Sequence, residues 1–481
     1  MRTTLVFALV VFCCSSLFLS CQDMDDVPTT DNLVVQDFVW KGLNLYYLWQ
    51  PEVVNLADKR FVNQQDLNHF LTGFSAPKDV FNALLMDKSI DRFSWIVDDY
   101  LALEGTLEGT TKNNGLKYAL AYKPGSTQEL IGYVRYVIPN SSAAANKVQR
   151  GMLFYGIDGS QLTLSNYRSL LAKENYSINL ATYQNGIIIP GTESIALTKT
   201  VLSEDPIFIH KIISKADHQI AYVMYNGFYS AYDTALNEIF ATFKNQKITD
   251  FVLDLRYNAG GSINTATRLA SMLTGQYTGK IFAKQQWNPK INSYFESNNP
   301  RALQNNFTDK IDNQAIHSLN LNQIYILTSK NTASASELII NGLKPYLNVI
   351  QIGDVTTGKN VGSVTLYDSP TFGKKNRNPK HRYAMQPIVL KMVNATGQGN
   401  YTKGIEPDFL LLEKVSNLGV LGTDTEPLLG AAIAKITGVN PMAKHLIVEP
   451  TLVPFYENKT PPEPNTMYLE EAPEGILKAL D

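Results

Sequence analysis

The sequence predicts a multidomain α+β protein: a helical amino-terminal region, a β-rich middle and an α/β block. Three observations carry that prediction. Between residues 33 and 105, Phe38, Val39, Trp40, Leu43, Tyr46, Tyr47 and Trp49 recur near helical spacing, as do Val80, Phe81, Leu84 and Leu85. Residues 106–200 switch to strand-like alternation, punctuated by turn signals at Asn113-Asn114-Gly115, Pro124-Gly125 and Asp158-Gly159. Residues 201–435 alternate buried-strand runs with helical runs, which reads as α/β. At roughly 150 residues per domain, a chain of 481 has room for about three.

Ahead of these regions, Arg2 gives a positive start and Leu5 to Leu19 carries no charge. That stretch is short of the roughly 20 residues a membrane span needs and reads as a signal peptide over residues 1–20. It ends Leu17-Phe18-Leu19-Ser20-Cys21, which resembles a lipobox with Phe18 in the usual Leu place. Cys21 is then the expected lipidation site, and 21–32 an acidic tether opening Gln22-Asp23-Met24-Asp25-Asp26. The expected location is the cell envelope: lipid-anchored at an outer membrane or cell surface, facing periplasm or exterior. Within the helical region the aromatic stripe reads as the core of a small helical domain. The extension 436–481 holds Pro461, Pro462, Pro464 and Pro473, so its middle is expected to be extended.

Composition narrows the chemistry. With 42 basic against 44 acidic side chains, the chain lacks the positive excess of a nucleic-acid binder. All three cysteines (Cys13, Cys14 and Cys21) lie in the first 21 residues, excluding a disulfide scaffold, a Cys-based zinc site or a thiol nucleophile downstream. The six histidines are scattered with no His-Glu-x-x-His pair, and no Gly-x-Ser-x-Gly elbow occurs. No metal and no cofactor is expected. Gly353-x-x-x-x-Gly358-Lys359 mimics a phosphate-binding loop, but Asn360 stands where Ser or Thr would bind Mg²⁺. A strand-like run, Val361 to Tyr367, also follows where a helix is required.

Two strand–turn–helix units remain. Phe251 to Leu255 runs through Arg256-Tyr257-Asn258-Ala259 into Gly260-Gly261 and a helical run from Thr265. Glycines there let backbone N–H groups converge on an anion or a developing oxyanion at a helix start. Gln323 to Thr328 leads through Ser329-Lys330-Asn331 to Thr332-Ala333-Ser334-Ala335-Ser336-Glu337. Ser334-x-x-Glu337 matches a helix-capping box. The alanines flanking Ser334 also leave its hydroxyl open to a bulky substrate. Lys359, 25 residues on and set among small residues, is what a Ser–Lys dyad requires. Its amine must be neutral near pH 7, so burial has to supply about 4 kcal/mol against its ordinary pKa.

Asp254-Leu255-Arg256-x-Asn258-x-Gly260-Gly261, Thr332 to Glu337 and Gly358-Lys359, in this order and spacing, resemble the carboxy-terminal processing (tail-specific) serine proteases. Ile220 to Phe228, Gly404-Ile405-Glu406-Pro407-Asp408 and Asp91-Arg92-Phe93-Ser94 resemble further parts of that family. Val134 to Leu153 with Ile157-Asp158-Gly159 resembles part of a PDZ domain. The resemblance implies a PDZ-like domain over 106–200 and a protease core over 201–435. It implies Ser334 as nucleophile, Lys359 as general base, and the N–H groups of Gly260 and Ala335 as oxyanion hole. It implies polypeptide substrates, bound by the PDZ-like module through strand addition near Gly115 and Leu116. Two positions depart from the family pattern. Pro345 replaces a frequent Asp and is expected to end its helix near Lys344; Ser363 replaces a Gln that orients the lysine and becomes the possible orienting residue. These departures support the alternative of a catalytically silent, peptide-binding lipoprotein on the same fold.

Overall fold

The computed structural model describes residues 29–439, 452–455 and 467–479; the leader 1–20 and Cys21 lie outside them. The architecture is mixed α and β, as the patterning predicts. Helices α1 (Val34–Tyr46), α2 (Gln64–Leu71) and α3 (Pro77–Ala83) come first. The stripe Phe38, Val39, Trp40, Leu43 and Tyr46 is buried, but not in a core of its own. It packs into the same cluster as Phe251, Leu253, Ile326 and Leu338. Helices this few and short cannot cover each other's apolar faces, so they cover the main sheets instead.

The alternating middle forms β1 (Leu116–Tyr122), β2 (Leu130–Val137), β3 (Leu153–Ile157), β4 (Asn175–Gln184) and β5 (Ile187–Thr198), each antiparallel to the next. Between β3 and β4 lies α4 (Tyr167–Ala172). The predicted turns are where glycine is needed: Gly115, Gly125 and Gly159 have φ of 80°, 79° and 79°. This region has its own core, including Leu130, Val134, Phe154, Ile157 and Ile178.

The further strands that position the site, in chain order, are β6 (Ile207–Lys215), β7 (His218–Tyr225), β8 (Asp250–Asp254), β9 (Ile281–Trp287), β10 (Gln304–Asn306), β11 (Gln323–Thr328), β12 (Asn348–Gly353), β13 (Val361–Val364), β14 (Ile388–Asn394), β15 (Phe409–Leu410), β16 (Pro454–Phe455) and β17 (Tyr468–Leu469). Helices α5 (Asp233–Asn245), α6 (Ile263–Thr274), α7 (Ala335–Leu343) and α8 (Pro427–Thr437) lie among them. One six-stranded sheet has the order β6-β7-β8-β11-β12-β15, parallel from β7 onward. Its central strands β8 and β11 are apolar on both faces, as helix-covered parallel strands must be. Phe251, Leu253, Ile324 and Ile326 join the core that holds α5 to α7, while Val252, Tyr325 and Leu327 face α8. A five-stranded sheet, β10-β9-β14-β13-β17, packs alongside. The element directly after Lys359 is the strand β13, not a helix. The carboxyl ends of β8, β11 and β12 open into three neighbouring turns, the usual place for chemistry on a parallel sheet.

Candidate active site

Ser334 sits between β11 and α7 with φ 66° and ψ −117°, a backbone state disfavoured for any residue with a side chain. A web of bonds to the turn after β8 holds it there. Thr332 Oγ1 donates to the Leu255 carbonyl (2.8 Å), and Ala333 N–H and Ser336 Oγ both donate to the Asn258 carbonyl (3.1 Å each). Asn258 is itself fixed by its side-chain amide donating to Tyr225 O (2.8 Å). A sharp strand-to-helix turn of this kind presents a hydroxyl at the head of a helix.

The glycine turn packs directly against the serine. Gly260 has φ 111°, and a methyl group placed there would lie 2.5 Å from Ser334 Cβ and 3.0 Å from Ala335 N. Only glycine admits that approach. In this structure the Gly260 N–H donates to Asn258 Oδ1 (2.8 Å). Ala335 is the first residue of α7, where helix amides have no partner within the helix. Gly260 and Ala335 therefore both border Ser334.

Lys359 is buried, and its Nζ makes no hydrogen bond among the described residues. It lies over the Phe93 ring at 4.7 Å from the centroid. Burial drives its pKa down from the ordinary lysine value to about 7; the charges of Asp91 and Glu337 oppose that fall and Arg92 adds to it. The amine is thus poised between neutral and charged near physiological pH.

Glu337 ties these turns together. Its carboxylate accepts from the backbone N–H of Ser334 (2.8 Å), Gly358 (2.7 Å) and Lys359 (2.8 Å), and from the Thr356 hydroxyl. Burial pushes its carboxyl up and those four donors pull it back. With both oxygens accepting from donors, the arrangement suits an ionised carboxylate. In sequence Glu337 looked like one half of a capping box; the same carboxylate also sets the lysine loop. The amino-terminal region closes that loop from outside, with Arg92 Nη2 donating to Gly358 O at 2.6 Å.

Ser363 points elsewhere: its Oγ donates to Gln386 Oε1 (2.8 Å), and it makes no bond to Lys359. α7 ends at Leu343 with Lys344 as its cap, where Pro345 leads one to expect it. Gly115 and Leu116 lie at the start of β1, their amides donating to Asn113 and Asn114 side chains. Ser334 Oγ accepts from the N–H of Met467 (2.8 Å), a residue of the extension with no sequence motif to announce it.

Residues 219–411 match the model of Peptidase family S41, and residues 34–95 match the Peptidase S41 N-terminal domain. The chain belongs to peptidase family S41. Its S41 fold is also seen in a crystal structure of an S41 protease from Bacteroides fragilis, at 23% identity and a TM-score of 0.66, covering 84% of this chain and 98% of that one. Among curated relatives, a carboxyl-terminal-processing protease of Picosynechococcus is 22% identical over 244 residues, 51% of each chain. A CtpA-like serine protease of Staphylococcus aureus is 23% identical over 48% of this chain and 44% of its own. The S41 chain thus spans about half the length of these relatives. Both family matches contribute to the site: the N-terminal match includes Arg92 and Phe93, and the longer one contains Ser334, Glu337 and Lys359.

Proposed function

We propose that the protein is a serine endopeptidase using Ser334 and Lys359 as a dyad. The observation that carries this reading is a buried lysine amine, without a hydrogen-bond partner among the described residues and lowered by burial to a pKa of about 7, whose loop shares the Glu337 carboxylate with a serine held in a strained turn. Neutral Lys359 takes the Ser334 Oγ proton as Oγ bonds to the substrate's carbonyl carbon. The N–H of Ala335, joined by that of Gly260 once it turns from Asn258, stabilises the oxyanion. The C–N bond then breaks, Lys359 gives its proton to the leaving nitrogen, and an ester on Ser334 remains. Water, deprotonated by Lys359, cleaves that ester and restores the hydroxyl. The Ser–Lys contact tightens only with substrate in place, as catalytic hydrogen bonds often do.

The middle region acts as a PDZ-like module for extended or carboxyl-terminal peptides, with Gly115 and Leu116 at the head of its receiving strand. Cys21 carries the lipid anchor at the cell envelope. The test is hydrolysis of an unstructured protein by the full chain beside Ser334→Ala and Lys359→Ala. Both substitutions should abolish hydrolysis, and the unaltered rate should rise with pH through about 7 as Lys359 loses its proton. Hydrolysis that survives in Ser334→Ala refutes the mechanism. Cys21→Ala should release the protein from membranes, and unchanged partitioning refutes anchoring.

A further inference from the structure

Two short stretches of the carboxyl-terminal extension lie where peptides would bind. β16 adds antiparallel to the edge of β1, with Pro454 opposite Ala121 and Phe455 opposite Leu120. Tyr122 N–H donates to Val453 O at 2.9 Å. The Phe455 ring meets Tyr122 of β1 and Tyr167 of α4 edge-on, at 5.6 and 5.5 Å, filling the gap between strand and helix. That is strand addition with a side chain seated in a groove, the way such sheet edges take peptides.

The second stretch enters the catalytic cleft. Met467 N–H donates to Ser334 Oγ, Ser363 N–H donates to Met467 O (3.0 Å), and Tyr468 N–H donates to Gly261 O (3.1 Å). β17 runs parallel to β13, Tyr468 beside Ser363 and Leu469 beside Val364. The Met467 side chain is fully buried, and Tyr468 OH donates to Leu107 O at 3.1 Å. The Glu470 carboxylate accepts from Ser262 Oγ and from Asn264 Nδ2 (2.6 Å) at the start of α6. The nitrogen resting on the nucleophile belongs to the peptide bond preceding Met467. It occupies the place of a leaving nitrogen, so residues 467–470 lie along the leaving side of the cleft.

We propose that the carboxyl-terminal extension is an intramolecular stand-in for substrate: it occupies the β1 edge and the leaving side of the cleft, and so holds the enzyme latent. This rests on the serine-endopeptidase reading above. Ser334 Oγ is engaged by a backbone N–H rather than by Lys359, whose amine has no hydrogen-bond partner among the described residues. A tethered segment competes at an effective concentration on the order of millimolar, so a free peptide must bind well or arrive tethered to displace it. The displacing substrate is an extended segment with a bulky apolar residue just after the cut and an acid three residues further on, matching Met467 and Glu470.

The test compares the full chain with Glu470→Lys and Met467→Pro, the first repelling the α6 amino terminus and the second removing the N–H on Ser334. Three readings are taken: covalent labelling of Ser334 by a fluorescent fluorophosphonate, hydrolysis of an unstructured protein, and hydrogen exchange at amides 467 and 468. The unaltered chain should show protected amides, both variants should label and hydrolyse about 10-fold faster or more, and a synthetic peptide of residues 467–479 should slow them again. Fast exchange at amides 467 and 468 with hydrolysis intact, or equal and measurable rates in all three chains, overturns latency while leaving the peptidase reading intact. Protected amides with neither labelling nor hydrolysis in any chain overturns both, because the extension would then only pack.

Discussion

Arg256, just after β8, and Lys359, in the loop between β12 and β13, are both buried basic side chains, and their surroundings are opposite. Arg256 donates to Asp254 through Nε (2.9 Å) and Nη2 (2.8 Å), and to Glu426 through Nη1 (2.6 Å) and Nη2 (2.7 Å). Glu426 in turn caps α8 by accepting from Leu429 N–H. Glu413 is part of the same cluster: burial alone would raise its pKa, yet Arg256 and Arg150 hold it down to about 2. Lys359 has a ring beneath it and, among the described residues, no hydrogen-bond acceptor. The saturated cation fastens β8 to α8; the unsaturated one is free to trade a proton. Complete pairing makes a buried charge structural, and withheld pairing makes it reactive.

That contrast can be broken from either end. Arg256→Leu leaves the Asp254 and Glu426 carboxylates buried without their partner and should cost about 3–5 kcal/mol, measured by urea unfolding. Glu337→Gln puts an amide N–H against donors that now point at a carboxylate. It should cost about 2 kcal/mol and depress hydrolysis together, because it loosens the serine and lysine loops at once.

Lys359→Met should go the other way, gaining about 2 kcal/mol at pH 7 while abolishing hydrolysis. The unfolded amine keeps its proton up to about 10.4, whereas the folded one releases it near 7, so between those values the unfolded chain binds more protons. The burden of the lysine is therefore full below about 7 and gone above about 10.4. The gain from Lys359→Met should shrink as pH climbs through that window, and a gain independent of pH would show that the amine is solvated. The smallest effect belongs to Ser334. Ser334→Gly should be about 1 kcal/mol more stable than Ser334→Ala, because only glycine adopts φ 66°, ψ −117° without strain.

Much of this was legible in the chain. The apolar runs at Phe251 and Ile324 were readable as buried parallel strands, and the double glycine at 260–261 as a close backbone approach, because both follow from local rules. The strand after Lys359 was enough to dismiss a phosphate loop. What escaped was of longer range. Glu337 stands where a capping residue belongs, and nothing local announces that it also takes the amides of Gly358 and Lys359. The aromatic stripe of α1 is periodic whether it lines its own core or another's, so its sharing with the main sheets was invisible. Met467 to Glu470 carry no motif, and their placement depends on edges of β13 and the Gly261 turn that exist only in the folded chain.

Arg92 and Phe93 cover the lysine loop from a point 266 residues earlier in the chain, as measured by the bond from Arg92 to Gly358. A nascent or unfolded chain therefore carries an ordinary, hydrated lysine, protonated at neutral pH and unable to accept a proton from serine. A neutral amine at this position near pH 7 is created by burial, when the segment after the first helices meets the loop ahead of β13. A chain still being made has the residues of this site and none of its geometry.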